Sequence, residues 1–92
     1  MSIQWLYDVI EDRKKNPSET SYTSSLFAEG LPRIAQKVGE EGTEVVVAAL
    51  AQDDERLIEE MADLTYHMLV LLSARGIDPN QVIAELERRH RK

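Results

Sequence analysis

Residues 54–75 read DERLIEEMADLTYHMLVLLSAR, and this stretch decides the fold class. Its apolar residues recur at three- and four-residue steps, the period of one helical face, at Leu57, Met61, Leu64, Met68 and Leu71. Asp53 or Asp54 can cap the first turn, and Gly76 can end the helix after Arg75. Leu69 and Leu72 carry the apolar surface beyond one face. We therefore predict a long helix with two packing partners, one of them a second subunit.

The remainder of the chain also predicts helices, and strand signals are nearly absent. A first helix over about residues 2–15 precedes a polar loop over residues 17–23, and a short helix over residues 24–29 ends at Gly30. A second long helix runs from Pro32 to about Ala51, and a last helix begins at Asp78 and Pro79. We predict that its Val82, Ile83 and Leu86 face inward. The expected fold is all-α, a compact bundle of four to five helices in one domain over residues 1–92.

Composition limits the possible functions. The 92 residues carry 11 Lys and Arg against 17 Asp and Glu, a formal net charge of −6, which disfavours nucleic acid as a partner. No apolar run approaches the ~18 residues of a membrane span, and the N-terminal residues lack the basic and apolar segments of a signal peptide. We therefore expect a cytoplasmic protein without a membrane partner. A chain this short buries only about 60–65% of its unfolded surface and has no cysteine, so we expect a homodimer.

Acidic residues are placed in the same way on both long helices. Glu41 and Glu44 stand three residues apart on one helix, and Glu60 and Asp63 stand three apart on the next, so each pair shares a helix surface. Helical geometry puts Lys37 on the flank of the first pair. It also puts His67 on the flank of the second pair, whereas Glu40 points more toward solvent.

If the two helices pack antiparallel, the four carboxylates converge beside the core. Anions so placed repel one another in reduced dielectric, so they must take up protons or bind a cation. Oxygen ligands without cysteine favour a hard ion such as Mg²⁺ or Mn²⁺, which in turn favours the hydrolysis of a polyphosphate. The competing interpretation is an ordinary solvated face, with Lys37 and Glu41 as a helical ion pair and His67 as a residue at the edge of the core.

Three further motifs sharpen this interpretation. They are Ser21-Tyr22-Thr23, Lys37-Val38-Gly39-Glu40-Glu41, and residues 60–72, EMADLTYHMLVLL. From about Leu6 to Leu86 the combination closely resembles the phosphoribosyl-ATP pyrophosphohydrolases, which catalyse the second step of histidine biosynthesis. More distantly, the two acidic pairs resemble those of the all-α, MazG-like nucleoside triphosphate pyrophosphohydrolases. Gly42 departs from the family pattern, in which we expect alanine.

The resemblance implies a dimer of helical bundles that uses Mg²⁺ to hydrolyse phosphoribosyl-ATP to phosphoribosyl-AMP and pyrophosphate. It implies the metal ligands Glu41, Glu44, Glu60 and Asp63. It also implies that Lys37 contacts phosphate. One of the four ligand carboxylates, or Glu40, would orient or deprotonate the water, and we take Glu40, Glu41 and Glu44 as the catalytic candidates. The expected substrate contacts are Ser21, Thr23 and His67. A chain of this length would be the form that is not fused to the next enzyme of the pathway.

Two other functions stay open at this point. One is a house-cleaning pyrophosphatase of the same superfamily that acts on ordinary or damaged deoxynucleoside triphosphates. The Ser-Tyr-Thr segment and the Tyr66-His67 pair favour phosphoribosyl-ATP instead. The other is a non-enzymatic helical dimer whose acids are only surface charge, which predicts no stabilisation by Mg²⁺.

Overall fold

The computed structural model describes residues 1–91, and this part of the chain contains five α-helices and no strand. The helices are α1 (Ile3–Lys15), α2 (Tyr22–Glu29), α3 (Leu31–Ala51), α4 (Asp54–Ala74) and α5 (Pro79–His90). The predicted all-α fold is confirmed. Within the described residues, no helix is both long and apolar enough to cross a membrane.

Side-chain caps fix where the helices begin. The side chains of Ser2, Asp53 and Asp78 accept hydrogen bonds from backbone N–H groups in the first turns of α1, α4 and α5. Gly30, with φ of 96°, joins α2 to α3 without an intervening loop, and this left-handed backbone favours glycine. Only Gln52 and Asp53 separate α3 from α4, so these two long helices pack antiparallel.

The start of α2 differs from the prediction. The loop that the sequence predicts over residues 17–23 ends at Ser21, whose side-chain oxygen accepts a hydrogen bond from the backbone N–H of Ser24 at 3.1 Å. Serine favours loops and helix N-caps alike, and here it acts as the cap. Tyr22 and Thr23 therefore belong to the helix and are held against α4.

The core lies among α1, α2, α3 and α4, where Ile10, Leu26, Ile34 and Val70 are each at most 1% exposed. Polar contacts then attach α1 to the C-terminal part of α4. Lys14 Nζ donates to the backbone carbonyl of Ser73 at 2.7 Å, and the buried Ser73 hydroxyl donates to the Glu11 carboxylate. Tyr7 adds a hydrogen bond from its hydroxyl to the carbonyl of Ile77 at 2.9 Å.

The apolar stripe predicted for α4 is partly wrong. Met61 and Met68 are 46% and 41% exposed, whereas Glu60 and His67 are buried. Because α4 carries apolar residues on several faces, its periodicity alone does not decide which face turns inward. The predicted burial of the apolar face of α5 is also wrong, since Val82, Ile83 and Leu86 are 43%, 46% and 52% exposed and the first two border an open groove.

Two glycines interrupt the middle of α3. A Cβ atom added at Gly39 or at Gly42 would meet nothing within 4 Å, among the atoms outside the neighbouring turns of its own helix. Packing within the described chain therefore does not require glycine at either position.

Candidate active site

Three carboxylates meet between α3 and α4. Glu41, Glu60 and Asp63 each offer an oxygen that lies within 4.8 Å of the other two. Glu41 and Glu60 are only 6% and 5% exposed, whereas Asp63 is open to solvent. The antiparallel packing of the two long helices produces this convergence, as the sequence predicts. These three side chains are called the acidic trio below.

Glu44 and Glu40 lie outside the trio. Glu44 is exposed at the rim, where it lines a cavity of about 260 Å³ together with Glu60 and Arg56. Glu40 is also exposed, and its Oε1 atom lies 3.8 Å from Arg33 Nη1 and 3.8 Å from Lys37 Nζ. The structure thus brings together three of the four predicted ligands and places the fourth beside them.

A basic residue one helical turn earlier holds each buried glutamate. Lys37 Nζ lies 3.4 Å from Glu41 Oε1, and Arg56 Nη2 donates to Glu60 Oε1. The second oxygen of each glutamate, Oε2, is buried and has no hydrogen-bond partner among the described residues. Each carboxylate therefore keeps one oxygen available inside the site.

The donor set suits a hard divalent cation. Buried carboxylate oxygens without a partner are costly, since such groups are normally hydrogen-bonded or paired with charge. Two such oxygens belong to Glu41 and Glu60, which form the trio with Asp63, and all the candidate ligands are oxygens, as Mg²⁺ and Mn²⁺ prefer. The residues present thus fit a metal of this class.

Both basic residues remain protonated at neutral pH. Burial disfavours the charged form of Lys37, but the neighbouring Tyr22, Glu41 and Glu40 outweigh that effect and raise the pKa of the lysine. Hydrogen bonding to Glu59 and the negative charge of Glu60 likewise raise the pKa of Arg56. The acidic trio is therefore flanked by two permanent positive charges.

Two side-chain pairs connect α2 to α4 next to this site. The buried His67 donates from Nδ1 to the backbone carbonyl of Asp63 at 2.7 Å, because a carbonyl can only accept. Its Nε2 atom is hydrogen-bonded to the Tyr22 hydroxyl oxygen at 3.1 Å. Thr23 is hydrogen-bonded to the hydroxyl of Tyr66, whose pKa is raised by burial.

All three residues that the sequence predicts as substrate contacts make hydrogen bonds within the chain, and their contact with substrate stays a prediction. Ser21 caps α2, while Thr23 and His67 bind side chains of the neighbouring helix. Tyr22, which lies between Ser21 and Thr23, is 52% exposed, and the sequence did not single it out as a site residue. Arg56 was missed as well, although it stands four residues before Glu60, as Lys37 does before Glu41.

Comparison of the sequence with known proteins gives a family match that is consistent with this site. The sequence model of the family described as phosphoribosyl-ATP pyrophosphohydrolase matches residues 3–90. The phosphoribosyl-ATP pyrophosphatase of Lacticaseibacillus casei (strain BL23) is 54% identical over 91 residues, 99% of this chain and 83% of that protein. The phosphoribosyl-ATP pyrophosphatase of Sulfurisphaera tokodaii is 52% identical over 84 residues, 91% of this chain and 89% of that protein.

A longer relative shows the same similarity over part of its length. The histidine biosynthesis bifunctional protein HisIE of Vibrio cholerae is 52% identical over 90 residues, which make up 95% of this chain and 43% of that protein. The resemblance carried by the Ser-Tyr-Thr, Lys-Val-Gly-Glu-Glu and residue 60–72 motifs is thereby confirmed. On both the family match and these identities, the chain belongs to the phosphoribosyl-ATP pyrophosphohydrolase family of hydrolases.

Proposed function

We propose that this chain hydrolyses phosphoribosyl-ATP to phosphoribosyl-AMP and pyrophosphate, in histidine biosynthesis, with Mg²⁺ bound by Glu41, Glu60 and Asp63. Mn²⁺ has the same ligand preferences and would serve as a substitute. The observation that carries the proposal is the acidic trio, in which two buried glutamates each have one unpartnered oxygen. Relatives about half identical to this chain bear the name of this activity.

The chain's own residues supply binding and proton transfer. When bound, the cation neutralises charge on the phosphates and lowers the pKa of coordinated water. Lys37 remains charged beside the trio and would bind the phosphate chain. Its partner Glu40, from its position at 3.8 Å, would help to hold the ammonium group in place.

Glu44 is the best placed acceptor for the proton of the attacking water. It makes no ion pair among residues 1–91, and it borders the same cavity as Glu60. In Glu41, by contrast, one carboxylate oxygen is paired with Lys37 and the other is buried. The resemblance also implies Glu44 as a fourth ligand, a role that requires its exposed side chain to turn toward the trio.

We also propose that the protein is a homodimer. Six large apolar side chains of α3 and α4 are at least 41% exposed: Val46, Val47, Leu50, Ile58, Met61 and Met68. On α4 they follow three- and seven-residue steps, so they form one continuous stripe. Contiguous apolar patches on small proteins mark interfaces. An apolar groove of about 420 Å³, bordered by Met68, Val82 and Ile83, continues the same surface.

The function is tested by pyrophosphate release from phosphoribosyl-ATP beside a panel of deoxynucleoside triphosphates, with Mg²⁺ and with EDTA. We expect Mg²⁺-dependent turnover of phosphoribosyl-ATP well above that of the panel. Glu41→Gln should abolish it, because the amide keeps the shape of the side chain but loses its charge. Glu87→Gln on the exposed face of α5 is the matched control and should retain it.

Two results would contradict the proposal. Equal turnover of deoxynucleoside triphosphates would favour the house-cleaning function. An absence of turnover on every substrate, without stabilisation of the fold by Mg²⁺, would favour the non-enzymatic dimer.

A further inference from the structure

The two basic residues that bind the trio approach it from opposite ends of the α3–α4 pair. Lys37 lies about 20 Å along the helix axis from the connection between the helices, and Arg56 lies within about 5 Å of it. Lys37 reaches the trio through Glu41, and Arg56 reaches it through Glu60. The acidic site therefore has one fixed positive charge on either side.

The guanidinium group of Arg56 is only partly engaged. Its side chain is 50% exposed, and Nη1 lies 3.1 Å from the exposed Glu59, while Nη2 binds the buried Glu60. Surface pairs such as the one with Glu59 contribute little to stability and exchange readily. A phosphate offers the planar guanidinium two parallel hydrogen bonds and a stronger charge. Arg56 can thus exchange Glu59 for a phosphate without releasing Glu60.

The charge of the site supports the same role. The acidic trio and Glu44, counted with Lys37 and Arg56, carry two excess negative charges, which repel a phosphate chain. A divalent cation bound to the trio cancels this excess. The phosphate groups of the substrate are then attracted to the cation and to both flanking basic groups.

The end of the site near α2 has a different chemistry. Residues 31–65 contain no Phe, Trp or Tyr, so α3 and the first half of α4 offer no aromatic ring. At the α2 end, the half-exposed Tyr22 is fixed by His67, and its ring lies 6.3 Å from the ring of Tyr66. An exposed ring held in one orientation suits the stacking of a purine.

We propose that Arg56 binds the pyrophosphate portion of the substrate and so sets its orientation. The β- and γ-phosphates point toward the α3–α4 connection, and the nucleoside points toward Tyr22 on α2. The bond between the α- and β-phosphates then lies over the acidic trio. This inference rests on the proposed function and adds to it a residue and a direction for the substrate.

The test is direct binding of the two products to the Mg²⁺-loaded protein, measured by calorimetric titration with inorganic pyrophosphate and, separately, with phosphoribosyl-AMP. Arg56→Gln should weaken pyrophosphate binding by about 10-fold or more, since hydrogen bonds to a charged group are lost. Binding of phosphoribosyl-AMP should change less than about 2-fold. Arg56→Lys should recover part of the pyrophosphate affinity, because the charge remains but the paired donors do not.

Arg88→Gln is the matched control, because Arg88 is also an exposed arginine paired with a glutamate, Glu85, but stands on α5. Its product affinities should equal those of the unmodified protein. Titration with Mn²⁺ separates a contact to phosphate from an effect on the metal site, so Arg56→Gln should leave Mn²⁺ affinity within a few-fold.

Three results would overturn the inference. Unchanged pyrophosphate affinity in Arg56→Gln would mean that Arg56 serves only as an ion-pair partner within the protein. Selective loss of phosphoribosyl-AMP binding would mean that the substrate binds in the opposite orientation. A parallel loss of Mn²⁺ and pyrophosphate affinity would mean that Arg56 acts only through Glu60. None of these results bears on the proposed function, which is tested on the unmodified protein by its release of pyrophosphate from phosphoribosyl-ATP and from deoxynucleoside triphosphates.

Discussion

In Glu41 and in Glu60, the two carboxylate oxygens have different surroundings. One oxygen is neutralised by the basic residue one turn earlier in the same helix, and the other is left buried and free. The first contact fixes the side chain, so the second oxygen is already oriented before a ligand arrives. A site arranged in this way needs little rearrangement to bind a cation.

Asp63 is the member of the trio whose replacement gives the cleanest test. It makes no ion pair among residues 1–91, and its contact with His67 uses its backbone carbonyl, so Asp63→Asn removes one charge and no described interaction. In EDTA the variant should be as stable as the unmodified protein or more so, because repulsion on the two buried carboxylates falls.

Added Mn²⁺ should raise the melting temperature of the unmodified protein and of Glu87→Gln, and should scarcely raise that of Asp63→Asn. Melting curves in EDTA and in increasing MnCl₂ provide this comparison. A variant that loses stability in EDTA yet keeps the full response to Mn²⁺ would remove Asp63 from the ligand set.

At the scale of the helices, the sequence specifies the helix bounds more fully than the contacts between helices. The bounds of α3 and α4 follow from Pro32, Asp53 and Gly76, because each of these residues acts through its own backbone or cap. The convergence of Glu41, Glu60 and Asp63 follows in turn from helical spacing and a short connection. The roles of Thr23 and His67 could not be derived in this way, since their partners lie more than 40 residues away.

The attachment of α1 to α4 depends on the ionisation of Glu11. Burial opposes ionisation, but hydrogen bonds from Ser73 and Lys14 and the charges of Lys14 and Lys15 outweigh it and lower the pKa of Glu11 below 4.5. A lowered pKa in the folded state contributes stability above about pH 4.5, and the contribution is lost as the pH falls through the lowered value.

Glu11→Gln should therefore reduce the free energy of unfolding at pH 7 by roughly 1–2 kcal/mol, because the buried Ser73 hydroxyl loses a charged acceptor. The difference should narrow as the pH is lowered below 4.5, as followed by urea unfolding at a series of pH values. Glu87→Gln is the control, since Glu87 is exposed on α5 and makes no ion pair among residues 1–91. If the difference in the free energy of unfolding stays constant with pH, the effect of Glu11→Gln comes from packing and not from the charge of Glu11.

At the scale of the whole molecule, the α3–α4 pair presents two surfaces of different character. One carries the acidic trio with its flanking cations, and another carries the exposed apolar stripe that includes Ile58, Met61 and Met68. A 92-residue chain that leaves such a stripe in water gives up stabilisation that it can recover by association.

The melting temperature should consequently rise with protein concentration. Met61→Lys should give a monomer with a lower melting temperature that no longer depends on concentration, as measured by sedimentation and thermal denaturation. Trp5→Lys is the control, since Trp5 is similarly exposed, at 53%, but lies on α1. An unmodified protein that sediments as a monomer at micromolar concentration would refute the homodimer.

Gly39 and Gly42 give the middle of α3 a further property. They bracket Glu41, and each lowers intrinsic helix stability by roughly 0.5–1 kcal/mol relative to alanine, with no compensating close contact inside the chain. The turn of α3 that carries Glu41 is therefore the turn with the lowest intrinsic helix stability. Occupation of that site by a cation would tie this turn to α4 through Glu41, so ligand binding and the local folding of α3 are a single coupled equilibrium.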